Sequence, residues 1–431
     1  MSIFQELVPS LRLGSWTPSS IRKHLFGDES QSIEALCAMM MKLDGEYSSL
    51  LIAERILDAY KKLDQDGRSD FFKMLNTEYD LDVDSLGSAV AQYAEKPDTK
   101  TLKQLTREAE PRRQELFRRL NMAPGGTQSL VKMREHLLQL SRKQPELAKM
   151  DVDFRHLFSS WFNRGFLLMQ PIDWTTPAHI LEKITAYEAV HEIRNWNELR
   201  RRLEPQDRYC YAFFHPAMDD EPLVFVEVAL TDEIPSKIDQ ILHQDRALLS
   251  PDQASCAVFY SISNCHSGLA GVSFGNFLIK QVATGLQLRF PHLKKFATIS
   301  PVPGFKNWLI QKAAEEPAVA ELIEQAELRP EEIERERLAA SILKLAARYF
   351  LEEKSSYGTP IDPVARFHLK NGACLERFNI AADLSDKGMT QSLGLMVNYI
   401  YNLAKVEENH ENYMKNHKVV CSNQIKKLLL N

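Results

Sequence analysis

The chain has 431 residues, with 53 basic against 58 acidic side chains and a formal net charge of −5. Its length favours two or three domains, and 44% hydrophobic with 26% charged residues is the balance of a soluble globular protein with ample core. No cationic excess is left to neutralise a polyphosphate backbone, which argues against a nucleic-acid partner, and no apolar run approaches the roughly 20 residues that span a bilayer.

The six cysteines (Cys37, Cys210, Cys256, Cys265, Cys374 and Cys421) form no CxxC pair and have no histidine at zinc-ligand spacing. A structural zinc site or a disulfide framework is therefore not expected, and a reducing compartment is the simpler reading. The opening MSIFQELVPSLRLGSW lacks the pattern of a secretory signal, and the closing KKLLLN is not the tripeptide that addresses proteins to peroxisomes. A cytoplasmic location, with no membrane contact, is the expectation.

Residues 1 to about 160 read as helical. Ile52, Ile56, Tyr60 and Leu63 recur at three- and four-residue steps, as do Leu130, Met133, Leu137 and Leu140, which places each set on one helical face. Pro124-Gly125-Gly126 breaks the chain before the second set, with Thr127 as its expected N-cap. Short connections between such helices imply antiparallel neighbours and a bundle. Asp64-Gln65-Asp66-Gly67 has some calcium-loop character, but its acids are wrongly spaced from the glycine and position 73 is Lys, so a helix end is the better reading. Met39-Met40-Met41 reads as core or interface filler.

The character changes after about residue 165. Tyr209–Phe214, Leu223–Leu230, Ala257–Ile262 and, more weakly, Lys295–Ile299 read as strands. Helical periodicity returns at Phe274, Leu278, Val282 and Leu286, and the spacing of Leu393, Met396, Val397, Ile400 and Leu403 predicts a helix over 389–403. Strands in hairpin-like succession followed by strand–helix alternation indicate an α+β or mixed-sheet domain.

Three segments carry potential chemistry. Cys256–Val282 is a strand, a loop with Gly268, Gly271 and Gly275, and an amphipathic helix. Backbone N–H groups at such a helix start can hold a phosphate, and a plain strand–helix connection fits the segment equally well. The same loop contains Gly271-Val272-Ser273-Phe274-Gly275, a formal nucleophile-elbow match, with Asp362 and His368 following in the order of that fold. The apolar run stops about ten residues before Ser273, however, which is poor context for an elbow. In Lys295–Phe305 a strand ends at Ser300, and Pro301 and Pro303 hold that hydroxyl in place, either for a site or as a cap before a turn. In Asp362–Arg377, His368 lies between Phe367 and Leu369 on what reads as a short extended run turning at Asn371-Gly372. Imidazole is the side chain suited to proton transfer near neutral pH.

Taken together, FYSIS with GLAGVSFGNFLIKQV, FPHLKKFATISPVPGF, and DPVARFHLKNGACLERFNIAADLSDKGMTQSLGLMVNYIY resemble, in this order over residues 256–404, the malonyl-CoA decarboxylase family. The resemblance implies an N-terminal all-helical bundle (1–160) that mediates homo-oligomerisation, as a dimer or a tetramer. It also implies a catalytic mixed-sheet domain (161–431) of GNAT-like, acyl-CoA N-acetyltransferase fold, and hence an α+β protein. Carried over residue by residue, the CoA-contacting loop falls on Ala270, Gly271, Val272, Ser273, Phe274, Gly275 and Asn276. The proton acceptor falls on Ser300, the proton donor on His368, and a further tyrosine near the site on Tyr401. The implied reaction converts malonyl-CoA to acetyl-CoA and CO2. Because the thioester is itself the electron sink, no metal, biotin or pyridoxal phosphate cofactor is expected. A serine hydrolase or thioesterase using Ser273 and a non-catalytic acyl-CoA-binding scaffold are the rival readings.

Overall fold

The computed structural model describes residues 31–43, 45–272 and 278–430. These divide into two compact units. The first gathers the described residues of Met1–Asn163 with Pro216–Asp219 and His266–Val272, and the second those of Arg164–His215, Asp220–Cys265 and Ser273–Asn431.

The first unit is helical: α1 (Ile33–Met40), α2 (Glu46–Lys62), α3 (Gln65–Glu78), α4 (Val83–Glu95), α5 (Thr99–Glu108), α6 (Arg112–Asn121), α7 (Gly126–Leu140) and α8 (Lys149–Trp161). The apolar positions picked out by periodicity lie in its core, with Ile52, Ile56, Leu130, Met133 and Leu137 fully buried. Met40 is core as well. Asp64 is the N-cap of α3, its carboxylate accepting from the Gly67 N–H at 2.8 Å, which is the helix end expected there. Thr127 is not the cap of α7. That place belongs to Gly125, at φ +66°, and the Thr127 hydroxyl instead donates to Asn121 Oδ1 at 2.8 Å. The turn is so tight that a Cβ on Gly126 would lie 2.2 Å from the Leu120 carbonyl oxygen, and only the glycine pair makes it.

The second unit is built on one mixed sheet: β1 (Leu168–Ile172), β2 (Arg208–Phe214), β3 (Pro222–Thr231), β4 (Cys256–Asn264), β5 (Lys295–Thr298), β6 (Ser300–Pro301), β7 (Cys374–Asn379) and β8 (Met396–Ile400). The strands run in the order β1-β2-β3-β4-β5-β8-β6, with β7 paired to β8. All pairings are antiparallel except β4–β5, whose connection contains α9 (Leu278–Arg289). Parallel neighbours need such a crossover. The helical region followed by a mixed sheet is the α+β class expected.

Alternation along β5 and β6 decides which side chains meet. Phe296 joins the large core that holds Phe259, Val397, Tyr399 and Tyr401, whereas Ala297 and Ile299 join the core on the other face with Val258, Tyr260 and Met396. The β4–β5 pairing ends at Phe259↔Thr298, so Ser300 sits just past the point where the two parallel strands part.

Two expectations fail here. The 389–403 segment is a strand: a short helix (Asp386–Ser392) stops at Leu393 and Gly394, both at positive φ, and β8 follows. A strand buried on both faces shows no apolar–polar alternation, so its apolar residues can also satisfy helical spacing. His368 is likewise not on an extended run but in α10 (Pro363–Lys370). Asp362 caps that helix, with the Ala365 N–H donating to Oδ1 at 2.7 Å, and Pro363 takes the first helical position. Asp362-Pro363 ahead of Ala365 and Leu369, four residues apart, is a helix-start signature.

Candidate active site

Ser300 and His368, 68 positions apart in sequence, meet inside the second unit. Ser300 Oγ lies 3.0 Å from His368 Nε2, and His368 Nδ1 lies 2.8 Å from the Tyr401 hydroxyl. The Ser300 hydroxyl donates to Thr298 Oγ1 at 2.9 Å, and Thr298 Oγ1 also accepts from the Tyr399 N–H at 3.2 Å. The His368 ring is stacked on Tyr399, with centroids 4.4 Å apart. All five side chains are buried.

Each is held by its element. Ser300 pairs with Val397 across β6 and β8, while Tyr399 and Tyr401 come from β8 and the residue just beyond it. The Asp362 cap holds one end of α10, and the Tyr349 hydroxyl donates to Asp362 Oδ2 at 3.3 Å. At the other end Gly372 turns the chain at φ +80°, where a Cβ would lie 2.1 Å from the Val406 carbonyl oxygen.

Burial dominates the electrostatics. It pushes His368 down to about 3, so the imidazole is neutral at physiological pH. It raises the Tyr401 and Tyr399 phenols well above their usual range, keeping both protonated. Asp362 is pushed up to about 6 by its burial, against the opposing pull of its N–H donors. The result is a buried constellation of neutral hydroxyls around a neutral imidazole, able to present hydrogen-bond donors to a developing negative charge.

The arrangement does not form a hydrolase triad. The Asp362 carboxylate is engaged by the Ala365 N–H and the Tyr349 hydroxyl, and His368 Nδ1 has Tyr401 beside it instead. Ser273, Phe274, Gly275 and Asn276 lie outside the described residues.

Of the glycine loop, Ala270, Gly271 and Val272 belong to the helical unit. Gly268 presses on α7 so closely that a Cβ would lie 2.0 Å from the Val131 carbonyl oxygen. Arg134, itself buried, donates to the carbonyls of Gly268 at 2.7 Å and Ala270 at 2.8 Å. Gly271 has φ +73°, and the Arg155 guanidinium lies 3.8–4.0 Å from where its Cβ would stand. Sequence reading missed Arg134, Arg155 and Thr298. Only Thr298 left a signal, being two residues before Ser300 on the same face of an extended segment. Among the described residues no group of three His, Cys, Asp or Glu side chains is placed to hold a metal ion, and no helix is long and apolar enough to cross a membrane.

Known proteins match nearly the whole chain. The model of the malonyl-CoA decarboxylase C-terminal domain matches residues 165–431, and that of the malonyl-CoA decarboxylase N-terminal domain matches residues 79–162. The mitochondrial malonyl-CoA decarboxylase of Rattus norvegicus is 35% identical over 352 residues, covering 74% of this chain and 71% of its own. Among solved structures, malonyl-CoA decarboxylase from Agrobacterium vitis is 50% identical with a TM-score of 0.86, over 93% of this chain and 100% of that one. The enzyme from Rhodopseudomonas palustris is 46% identical with a TM-score of 0.86, over 92% and 98%. Matches to both domains in their proper order, together with relatives that align over most of their own length, leave one conclusion: this chain belongs to the malonyl-CoA decarboxylase family.

Proposed function

We propose that the protein is a carboxy-lyase that converts malonyl-CoA to acetyl-CoA and CO2, with Ser300 and His368 as its working pair. The observation that carries the assignment of residues is the contact between Ser300 Oγ and His368 Nε2 at 3.0 Å inside a buried, neutral cluster. In the proposed reaction the bond between C2 and the carboxylate breaks, CO2 leaves, and the electron pair spreads over C2 and the thioester oxygen. Donors preorganised toward that oxygen are worth roughly 3–4 kcal/mol each in comparable sites. C2 then takes a proton from His368, and solvent restores it. The negative charge of the bound malonyl carboxylate opposes the burial that keeps His368 neutral, so the substrate itself charges the group that donates. Ser300 acts as the acceptor partner of that imidazole. The route draws on the thioester alone as electron sink and uses no metal, biotin or pyridoxal phosphate.

The loop Ala270–Asn276 is the proposed contact for CoA phosphates. Gly271 at positive φ and the Arg155 guanidinium beside it supply a close backbone approach and a positive charge. Residues 1–160 are assigned to homo-oligomer assembly, residues 161–431 to catalysis, and the cytoplasm as location. Incubating purified protein with malonyl-CoA and identifying products by mass spectrometry tests the reading. Acetyl-CoA and CO2 are expected, malonate with free CoA would make it a hydrolase, and no turnover would leave an acyl-CoA-binding scaffold.

A further inference from the structure

We infer that Thr298 is a positioning residue for the Ser300–His368 pair: by accepting the Ser300 proton it fixes His368 as the tautomer that carries its own proton on Nε2. This rests on the proposed role of that pair and deepens it.

A serine hydroxyl has one proton to give. The geometry of the Ser300–Thr298 contact, at 2.9 Å, is that of Ser300 donating to Thr298 Oγ1. With its proton committed there, Ser300 meets His368 Nε2 only as an acceptor, so Nε2 must carry the hydrogen. A neutral imidazole has one N–H, which makes Nδ1 the acceptor and turns the Tyr401 hydroxyl into its donor. Polarity therefore runs Tyr401 to His368 to Ser300 to Thr298. The opposite tautomer would set Nδ1–H against Tyr401 and leave that buried phenol without an acceptor at this contact. One unsatisfied buried donor biases such an equilibrium by roughly ten- to a hundredfold.

Thr298 is rigid enough to serve. It is fully buried, its carbonyl accepts from Asn398 Nδ2 at 2.7 Å, and its hydroxyl oxygen accepts from the Tyr399 N–H at 3.2 Å. Both anchors come from β8, the strand that also leads to Tyr401, so the two ends of the relay are set by one element. The consequence for chemistry is that His368 faces Ser300 with a donor, as a proton-donating role requires.

The test uses the full chain labelled with ¹⁵N-histidine, with the His368 signals identified by their loss in His368→Gln. Wild-type protein at neutral pH should show His368 as the Nε2–H tautomer. Thr298→Val, nearly isosteric, should release the Ser300 proton toward Nε2, shift the tautomer population, and lower kcat by about tenfold or more with KM little changed. Thr298→Ser should restore both. An Nδ1–H tautomer in the wild type overturns the inference whatever the Thr298 variants do. A fall in kcat without a tautomer shift, or one that Thr298→Ser fails to rescue, overturns it as well. The two readings part cleanly. A tautomer shift in a protein that makes no acetyl-CoA would refute the decarboxylase and keep the relay, and the converse result would do the reverse.

Discussion

If Ser300 and His368 serve one step, removing both should hurt little more than removing the more important one. The perturbation is the set Ser300→Ala, His368→Gln and the double variant. Ser300→Ala deletes a hydroxyl whose two contacts are Thr298 at 2.9 Å and His368 at 3.0 Å. Thr298 keeps the Tyr399 N–H, so the structural cost is that of one less partner for a buried imidazole, about 1–3 kcal/mol. Glutamine at 368 fills much of the space stacked on Tyr399, which limits the cavity that alanine would leave. The catalytic loss should be larger. A positioned acid or base contributes ~10²–10⁴-fold, so each single variant should fall by at least about a hundredfold in kcat. Independent roles would multiply to roughly 10⁴–10⁸, whereas groups that act as a unit leave the double variant near the worse single. Acetyl-CoA formation with saturating malonyl-CoA reads this, and circular dichroism checks the fold. Near-wild-type turnover in either folded single variant, or full multiplication in the double, would refute the paired role. Ser273→Ala is the matched control, and it should leave kcat within a few-fold of wild type.

Three other outcomes follow from the same geometry. Gly271→Val places a β-branched side chain at φ +73° beside Arg155, so it should weaken CoA binding in a calorimetric titration and raise KM more than it lowers kcat. Arg134→Met removes the donors to Gly268 and Ala270 and should likewise raise KM, with a cost in thermal stability of about 2 kcal/mol for the lost charged hydrogen bonds. For pH, His368 at about 3 when folded and near 6.5 when unfolded leaves the unfolded chain binding more protons between those values. Its contribution to stability is therefore whole above pH 6.5 and lost on acidification, at up to about 1.4 kcal/mol per pH unit. Asp362, raised to about 6, works in the opposite sense, contributing stability below its unfolded value that fades as pH rises through 6. Melting curves of wild type and His368→Gln between pH 4 and 7 isolate the histidine: the wild type should lose stability relative to the variant as pH falls, and parallel curves would contradict it.

The helical character of the described residues before about 160 and four of the strands were legible in the sequence, and Ser300, His368 and Tyr401 are singled out there as candidates. Helices show through spacing because a stripe of Ile52, Ile56 and Tyr60 has one structural cause. Two elements were misread for reasons of context. In β8 both faces are buried, so Met396–Ile400 carries no alternation to distinguish strand from helix. Around His368 the apolar neighbours fit an extended run as well as a helix, and the Asp362-Pro363 start signal that favours the helix is secured by the contact of the Asp362 carboxylate with the Ala365 N–H.

The inventory could be read from the residues alone: the class of fold, the order of its two domains, and the candidate side chains for moving a proton. Tertiary structure alone decided how those side chains are wired. Ser300 and His368 are separated by 68 positions, and Thr298, Tyr399 and Tyr401 come to lie around them only because β8 pairs beside β5 and β6 while α10 packs its imidazole against them. The neutral state of His368 has the same origin. No neighbouring residue in sequence shifts it; the closing of the core around it removes the water that would have stabilised its charge.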